Sequence, residues 1–255
     1  MKTSRIFLYT ISLIVVLFYL VMTVSAPVRK LNRINLLASS DSIFMSQNSA
    51  IATYKGLLPL VKESAYKEAQ IILAKQDSIG LVINFKDSIA SLMLKGVEIH
   101  ASKIISYKRD KLFNGIKAPA VKKIFSSPLH NISEFSTVVK EPIVKKRAPK
   151  DPAEALQMAT VPDTIAAEPA YVVYNMELGF RLILVQEKWE TQAEKKVERK
   201  FKSDIRKQRL KDMFYSLIHL KEPVYTPTVI IELNANEVRS IYRAMPWKAS
   251  VVMLL

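Results

Sequence analysis

The chain has 255 residues, 49% apolar and 24% charged, which allows one or two domains with real cores and argues against a polytopic membrane protein. Five Gly and no Cys disfavour phosphate-cradling loops and exclude disulfides, thiolate nucleophiles and Cys-based zinc sites. Thirty-eight Lys and Arg against 23 Asp and Glu leave a net charge of +15, a field that favours anionic partners such as lipid headgroups, nucleic acid or acidic polymers.

The first element is "IFLYTISLIVVLFYLVMTVSA", Ile6–Ala26, 21 uncharged residues behind Lys2 and Arg5. At about 1.5 Å per residue it covers the ~30 Å hydrocarbon core of a bilayer. It is longer than the ~7–15 residue core of a cleaved signal peptide, and Pro27 makes a poor cleavage junction, so an uncleaved single-pass anchor over residues 1–26 is expected. Lys2 and Arg5 before the span nearly balance Arg29, Lys30 and Arg33 after it, and charge does not decide orientation.

A helical stem is expected over 27–76, with helices near Arg29–Ala38 and Ser64–Lys75 and a break near Gly56 and Pro59. In the second, Ala65, Ala69, Ile72 and Leu73 share one face. Residues 77–255 then read as an α+β soluble domain, mainly antiparallel. "IGLVINF" alternates Ile79, Leu81, Ile83 and Phe85 on one strand face. "KDS" turns the chain, and two more strands flank Lys95-Gly96, a three-stranded meander over Ile79–Ile105. Val97, Ile99 and Ala101 alternate with Glu98, His100 and Ser102, so the polar set is expected to face water.

Lys140–Ala170 holds five of the twelve Pro and reads as a linker or long surface loop. Tyr171–Tyr174 and Phe180–Gln186 flank Glu177-Leu178-Gly179 as a hairpin. Residues 187–221 form one long basic helix. Its stripe of Trp189, Ala193, Val197, Phe201 and Ile205 is narrow, then broadens at Leu210, Met213, Phe214 and Leu217, so its first part is expected solvated and its last part docked.

Chemistry is sparse. His100, His130 and His219 are isolated in sequence, and no H-E-x-x-H or comparable metal spacing occurs. His130 with Glu134 and His219 with Glu222 are single pairs of a kind that chance supplies. His100 is expected to be a surface or pocket-lining ring, and His219 a packed one. No G-x-S-x-G elbow or nucleotide-binding Gly loop is present, and "NIS" at Asn131–Ser133 is given no role. Catalytic, cofactor and metal residues are therefore assigned to none. Lys188–Lys211 has ten basic and four acidic residues. The bland reading is a solvated face laced with pairs such as Glu198–Lys202 and Asp204–Lys207. The sharper one is an anionic-partner stripe of Lys195, Lys196, Arg199, Lys200, Lys202, Arg206 and Lys207.

"IGLVINFKDSIASLMLKGVEIHASKI" resembles the opening of an L,D-transpeptidase (YkuD-type) domain, and "IIELNANEVRSIYRAMPWKASVVMLL" is similar to that family's closing strand, helix and strand. The likeness covers residues 77–107 and 229–255. It implies a cap at Asn234 or Asn236 and a packed Ile241-Tyr242. The family's closing segment is preceded by a His and then a Ser/Thr-x-Gly-Cys run. Here "HLKEPVYTPTVIIEL" stands in that place: His219 is present, the Cys is missing, and Tyr225, Thr226 and Thr228 lack a recognisable base. The resemblance thus implies a catalytically dead domain, with the Pro-rich segment and long helix as insertions.

The expected whole is a non-enzymatic scaffold or interaction protein of a bacterial cell envelope. It is single-pass in the inner membrane through Ile6–Ala26, with its soluble domain periplasmic. Its expected partners are the membrane, other envelope proteins and peptidoglycan, with nucleic acid disfavoured because Trp189 and Phe201 are not interleaved with the basic residues. The alternatives are an envelope hydrolase whose site forms only in three dimensions, or a basic module binding anionic lipid, cell-wall polymer or nucleic acid.

Overall fold

The computed structural model describes residues 2–39, 55–140, 169–219 and 221–255. The Pro-rich stretch expected as a linker lies, over 141–168, outside the described residues. The fold is α+β. Its helices are α1 (Lys2–Ser39), α2 (Leu58–Ala74), α3 (Ala118–Phe125), α4 (Gln192–Ile218) and α5 (Ala235–Ala244). Its strands are β1 (Gly80–Asn84), β2 (Ile89–Leu94), β3 (Val97–Lys103), β4 (Ser106–Arg109), β5 (Leu129–Ser136), β6 (Tyr171–Met176), β7 (Arg181–Gln186), β8 (Thr228–Leu233) and β9 (Ser250–Leu254).

The nine strands run in the order β3-β2-β1-β9-β5-β6-β7-β8-β4, antiparallel except for β1 with β9 and β7 with β8. The outermost strands, β3 and β4, are separated by only Ile104 and Ile105. Two residues span at most about 10 Å between flanking Cα atoms, so the sheet closes on itself. The switch of partner happens within one peptide: Ile104 N–H donates to Ser88 and Ile105 N–H to Glu232 of β8. A second corner lies in β5, which pairs with β9 at Leu129 and His130 and with β6 from Asn131 onward. Each end strand still pairs along one side only, β3 with β2 and β4 with β8.

Alternation then sorts the side chains. Leu81, Ile83, Val172, Tyr174, Leu182, Leu184, Val229, Ile231, Val251 and Met253 point inward to one core. The outward residues of the central strands are apolar too, because helices cover them. Tyr66, Ala69 and Leu73 of α2 pack on Val82, Val252 and Leu254. Phe201 of α4, with Trp189 and Ile205, packs on Tyr171, Val173, Ile183 and Val185. The approach of α2 is close: a Cβ on Gly80 would meet a Leu73 methyl at 2.4 Å.

The β6–β7 turn and the start of β8 share one end of the barrel, since β7 and β8 are parallel. Helix α5 follows β8 and therefore lies at the other end. At the turn end, α1 enters the fold: Ile34 and Ala38 join the core with Val61 and Ala65 of α2, Ile34 being only 2% exposed. Lys30 Nζ donates to Leu178 O, Arg33 pairs with Glu222, and Asn35 Oδ1 accepts from Lys117 N at 2.9 Å. Among the described residues one helix is long and apolar enough to cross a membrane: α1, over Val15–Ala38.

Several expectations change. Arg29–Ala38 is not a separate helix, because α1 runs unbroken through Pro27. An interior Pro removes one helical hydrogen bond, here the one to the Thr23 carbonyl. The preceding turn is supported instead by side chains, Ser25 Oγ donating to Val21 O at 2.8 Å and Arg29 Nη2 to Met22 O at 2.7 Å. The break expected near Gly56 and Pro59 stands as a 3-10 turn over Lys55–Leu57, and the second helix starts at Leu58, earlier than Ser64. Pro59 occupies the first turn of α2, where its missing N–H is harmless. The Lys95-Gly96 turn has positive φ at both residues, 51° and 82°, as a two-residue hairpin of this hand requires.

The faces of β3 are reversed in its second half, whereas Glu98 is exposed as expected. Val97 is 64% exposed and Ser102 3%. Register explains it: Ser102 lies opposite Ala90 and His100 opposite Leu92, both of which point into the core. The burial of α4 is reversed as well. Phe201 and Ile205 in its first half are packed, whereas Leu210, Phe214 and Ile218 in the half expected to dock are exposed.

If α1 is part of the core, Ile34→Ala should cost about 2–4 kcal/mol, as large-to-small core substitutions do. Urea unfolding of the detergent-solubilised full chain should show this loss, while Val24→Ala leaves the midpoint unchanged.

Candidate functional site

The chemistry-bearing side chains gather around α5, at the barrel end away from α1. Asn234 caps this helix, accepting from Asn236 N at 3.0 Å, and Val238, Ile241 and Tyr242 bury its apolar face. Glu237 in its first turn reaches β3. His100 Nε2 lies 2.6 Å from Glu237 Oε2, Ser102 Oγ donates to the same carboxylate oxygen, and Ser102 Oγ is 3.1 Å from His100 Nε2. The Ser102 hydroxyl, then the imidazole, hold the Glu237 carboxyl below its ordinary range against the opposing effect of burial.

Ser, His and Glu in contact resemble a nucleophile relay, but the geometry is wrong for one. A relay needs the acid on one ring nitrogen and the nucleophile on the other, so that a proton can pass through the imidazole. Here both partners meet Nε2. The cluster is a clasp that fastens β3 to α5 and satisfies polar groups turned inward by the register.

On the other side of α5 a buried ion pair joins Glu134 to Lys140 at 2.7 Å, with side chains 5% and 10% exposed. Tyr242 Oη donates to Glu134 Oε1 at 3.2 Å, and Asn131 Nδ2 donates to Glu134 Oε2 at 3.1 Å and to Trp247 O at 3.2 Å. Lys140 Nζ also sits over two rings, 4.5 Å from the Tyr242 centroid and 4.8 Å from that of Trp247. Burial, then the Glu134 charge, push the Tyr242 phenol up to about 12. Burial, then Glu134, also raise that of Tyr174 well above its ordinary value. Both hydroxyls therefore stay protonated at neutral pH. Asn131, the formal glycosylation acceptor, is buried, and its amide is used in this network.

Beside the pair runs an open groove of about 650 Å³, lined among others by Asp77, Lys140, Arg243, Met245 and Trp247. The Trp247 indole is 70% exposed at its rim. A flat ring with cationic and anionic neighbours suits a polar ligand with an apolar face, such as a sugar or a peptide.

The remaining sequence candidates disperse. His130 Nδ1 lies 3.2 Å from Ser250 Oγ, while its sequence neighbour Glu134 is taken by Lys140. His219 is exposed, not packed: it ends α4 with Nδ1 2.9 Å from Tyr215 O and its ring 4.0 Å from that of Tyr215. Its expected companion Glu222 pairs with Arg29 and Arg33 instead. At the start of β8, Tyr225 Oη donates to the Asp110 carboxylate, whose other oxygen accepts from Leu112 N, and Thr228 Oγ1 donates to Thr226 O at 3.0 Å, so the threonine hydroxyl faces no base and the one carboxylate beside the tyrosine also caps a turn. In the basic stripe, Lys202 pairs with Glu198 and Lys207 approaches Asp204 at 3.8 Å. Lys196, Arg199, Lys200 and Arg206 are exposed and Lys195 half-buried. No group of three metal-ligating side chains is present among the described residues. The α5 clusters were missed in the sequence because each joins residues of α5 or Trp247 to partners more than a hundred positions earlier. Only the polar residues at alternate positions of β3 hinted at one.

Two outcomes test this geometry. Removing Glu134 alone should strand a buried cation and cost about 3–5 kcal/mol, while the double change Glu134→Leu with Lys140→Met recovers most of the loss. Glu237 has a folded pKa below its unfolded one, so its contribution is present above the unfolded value and lost as pH falls through the folded one. Thermal melts between pH 7 and pH 3 should therefore show a smaller acid-induced drop for Glu237→Gln than for the native chain. The difference should be about 1 kcal/mol or less, because the pair is a third exposed. Comparison of the chain with models of protein families, with curated proteins and with solved structures gives no match.

Proposed function

We propose that this chain is a membrane-anchored, non-enzymatic scaffold or interaction protein of a bacterial cell envelope. It is single-pass in the inner membrane, with its folded domain on the periplasmic side and acting within a protein complex. One observation carries the reading: α1 is at once the apolar helix and part of the domain core. Leu13, Phe18, Leu20 and Val24 on it are exposed, while Ala26, Ile34 and Ala38 further along are buried. An apolar helix continuous with the core holds the domain in one orientation against the bilayer, with no flexible tether between them. The α5 end, with the Trp247 groove, then faces away from the membrane, where other envelope proteins and peptidoglycan lie within reach.

The likeness to L,D-transpeptidases is part of the same proposal. Its two separate stretches come together, β1 lying parallel to β9 over five residue pairs from Gly80↔Ser250 to Asn84↔Leu254. The nucleophile that the family uses is missing from the sequence, and the hydroxyls before β8 are held by Asp110 and a backbone carbonyl. Such a domain keeps a fold and a surface without the acyl transfer.

The test uses the full chain in native membranes. A photo-crosslinking residue in place of Trp247 should capture envelope proteins or cell-wall fragments, and the same residue in place of Lys202 should not. Incubation with peptidoglycan fragments should leave them unchanged. Turnover of those fragments by the purified chain would overturn the non-enzymatic reading, and equal capture from both positions would overturn the assignment of the groove.

A further inference from the structure

Helix α4 is longer than the surface it covers. Its 27 residues extend about 40 Å, while β6, β7 and β8, six residues each, extend about 20 Å. Phe201 packs against Tyr171 and Phe135, near the α5 end of the barrel, with ring centroids 3.5 and 5.2 Å away. From there the helix runs to the turn end and past it. The overhang meets α1 below the domain: Tyr19 Oη donates to the Met213 carbonyl at 2.6 Å.

Tyr19 precedes Ala26, the first buried residue among the described side chains of α1, by seven positions, or about 10 Å of helix. Around this contact one stripe of the overhang is apolar and bare, while Lys211 and Asp212 beside it are exposed. Leu210, Phe214 and Ile218 recur every four residues as one stripe, Phe214 57% and Ile218 75% exposed, and Val224 follows on the returning chain. One turn above Leu210 stand Arg206 and Lys207, both exposed. Arg29 and Arg33 of α1 lie at the level of Glu222, just past the overhang.

We infer that the apolar stripe at the end of α4, Leu210, Phe214 and Ile218, together with Val224, is embedded in the headgroup–acyl boundary of the bilayer as a second membrane contact beside α1. This rests on the anchored reading of α1. A helix touching Tyr19 shares the depth of Tyr19, so it cannot stand in water while the neighbouring turns of α1 stand in lipid. An amphipathic helix at this boundary sinks its apolar side about 5–10 Å and keeps its charged side among the headgroups, where Arg206, Lys207, Lys211 and Asp212 would then lie. The exposed stripe that would be a liability in water is then covered, and the domain gains a second fixed point that prevents rotation about α1.

A chain without cysteine makes the test direct. Single cysteines replace Leu13, Lys202, Phe214 or Ile218 in the full chain, carry an environment-sensitive fluorophore, and are reconstituted in phosphatidylethanolamine vesicles containing phosphatidylglycerol. The expected result is quenching of the Leu13 label by spin labels deep in the acyl chains and of the Phe214 and Ile218 labels by shallow ones. The Lys202 label should answer only to aqueous iodide. Iodide quenching at Phe214 and Ile218 with Leu13 still in lipid would overturn the inference and leave the anchor standing. Shielding of those two labels from both quenchers would assign the stripe to a protein partner or a second copy, and also overturn it. A Leu13 label outside lipid would remove the anchor and this inference together.

Discussion

The burial of Ile34 and Ala38 of α1 in the barrel-end core is the contact on which the rest of the molecule depends. Without it the apolar helix and the β-domain would be two bodies joined by a string. With it, one rigid rod leaves the core and carries exposed apolar residues beyond it. The polar clamps around the contact, from Lys30 to Leu178 O and from Arg33 to Glu222, orient the rod. They contribute little energy individually, since such pairs are exposed. Core burial supplies the strength, and the clamps select the angle.

The barrel gives that rod something stiff to enter. Two bent strands, β3 running into β4 and β5 changing partner, tie the ends of the sheet together. Helices α2 and α4 then cover opposite outer faces, which is why the central strands are apolar on both sides. Polar groups enter only where a helix can answer them. His100 and Ser102 face inward because Glu237 is there, and Glu134 is tolerated because Lys140, Asn131 and Tyr242 surround it. Most of the polar atoms in these clusters are paired with one another, Asn131 Oδ1 being an exception, which suits a fixed surface better than a proton relay.

Much of the local structure was legible in the sequence. Alternation in "IGLVINF", the Lys95-Gly96 turn and the Glu177-Leu178-Gly179 hairpin each depend on neighbours within a few residues, and each stands where expected. What failed was long-range. Alternation in β3 reports two faces but not which one is inside; the pairing of Ser102 with Ala90 decides that. The stripe on α4 broadens toward its C-terminus, yet the narrow part is docked, because the barrel is shorter than the helix and α4 starts at its far end. Pro27 reads locally as a boundary, and the side chains of Ser25 and Arg29 carry the helix across it. The site around α5 joins residues as far apart as Ser102 and Glu237, which no spacing rule connects.

An apolar helix that is also core constrains the dynamics of the intact molecule. Amide hydrogen exchange of the full chain in lipid nanodiscs tests it most directly, read over residues 27–39 against the inner strands β1, β7 and β9. The account predicts that 27–39 exchange as slowly as those strands and gain speed with them as urea is added, since both open only on global unfolding. Rapid exchange of 27–39 while the strands remain protected would show a hinge between helix and domain, and would contradict it.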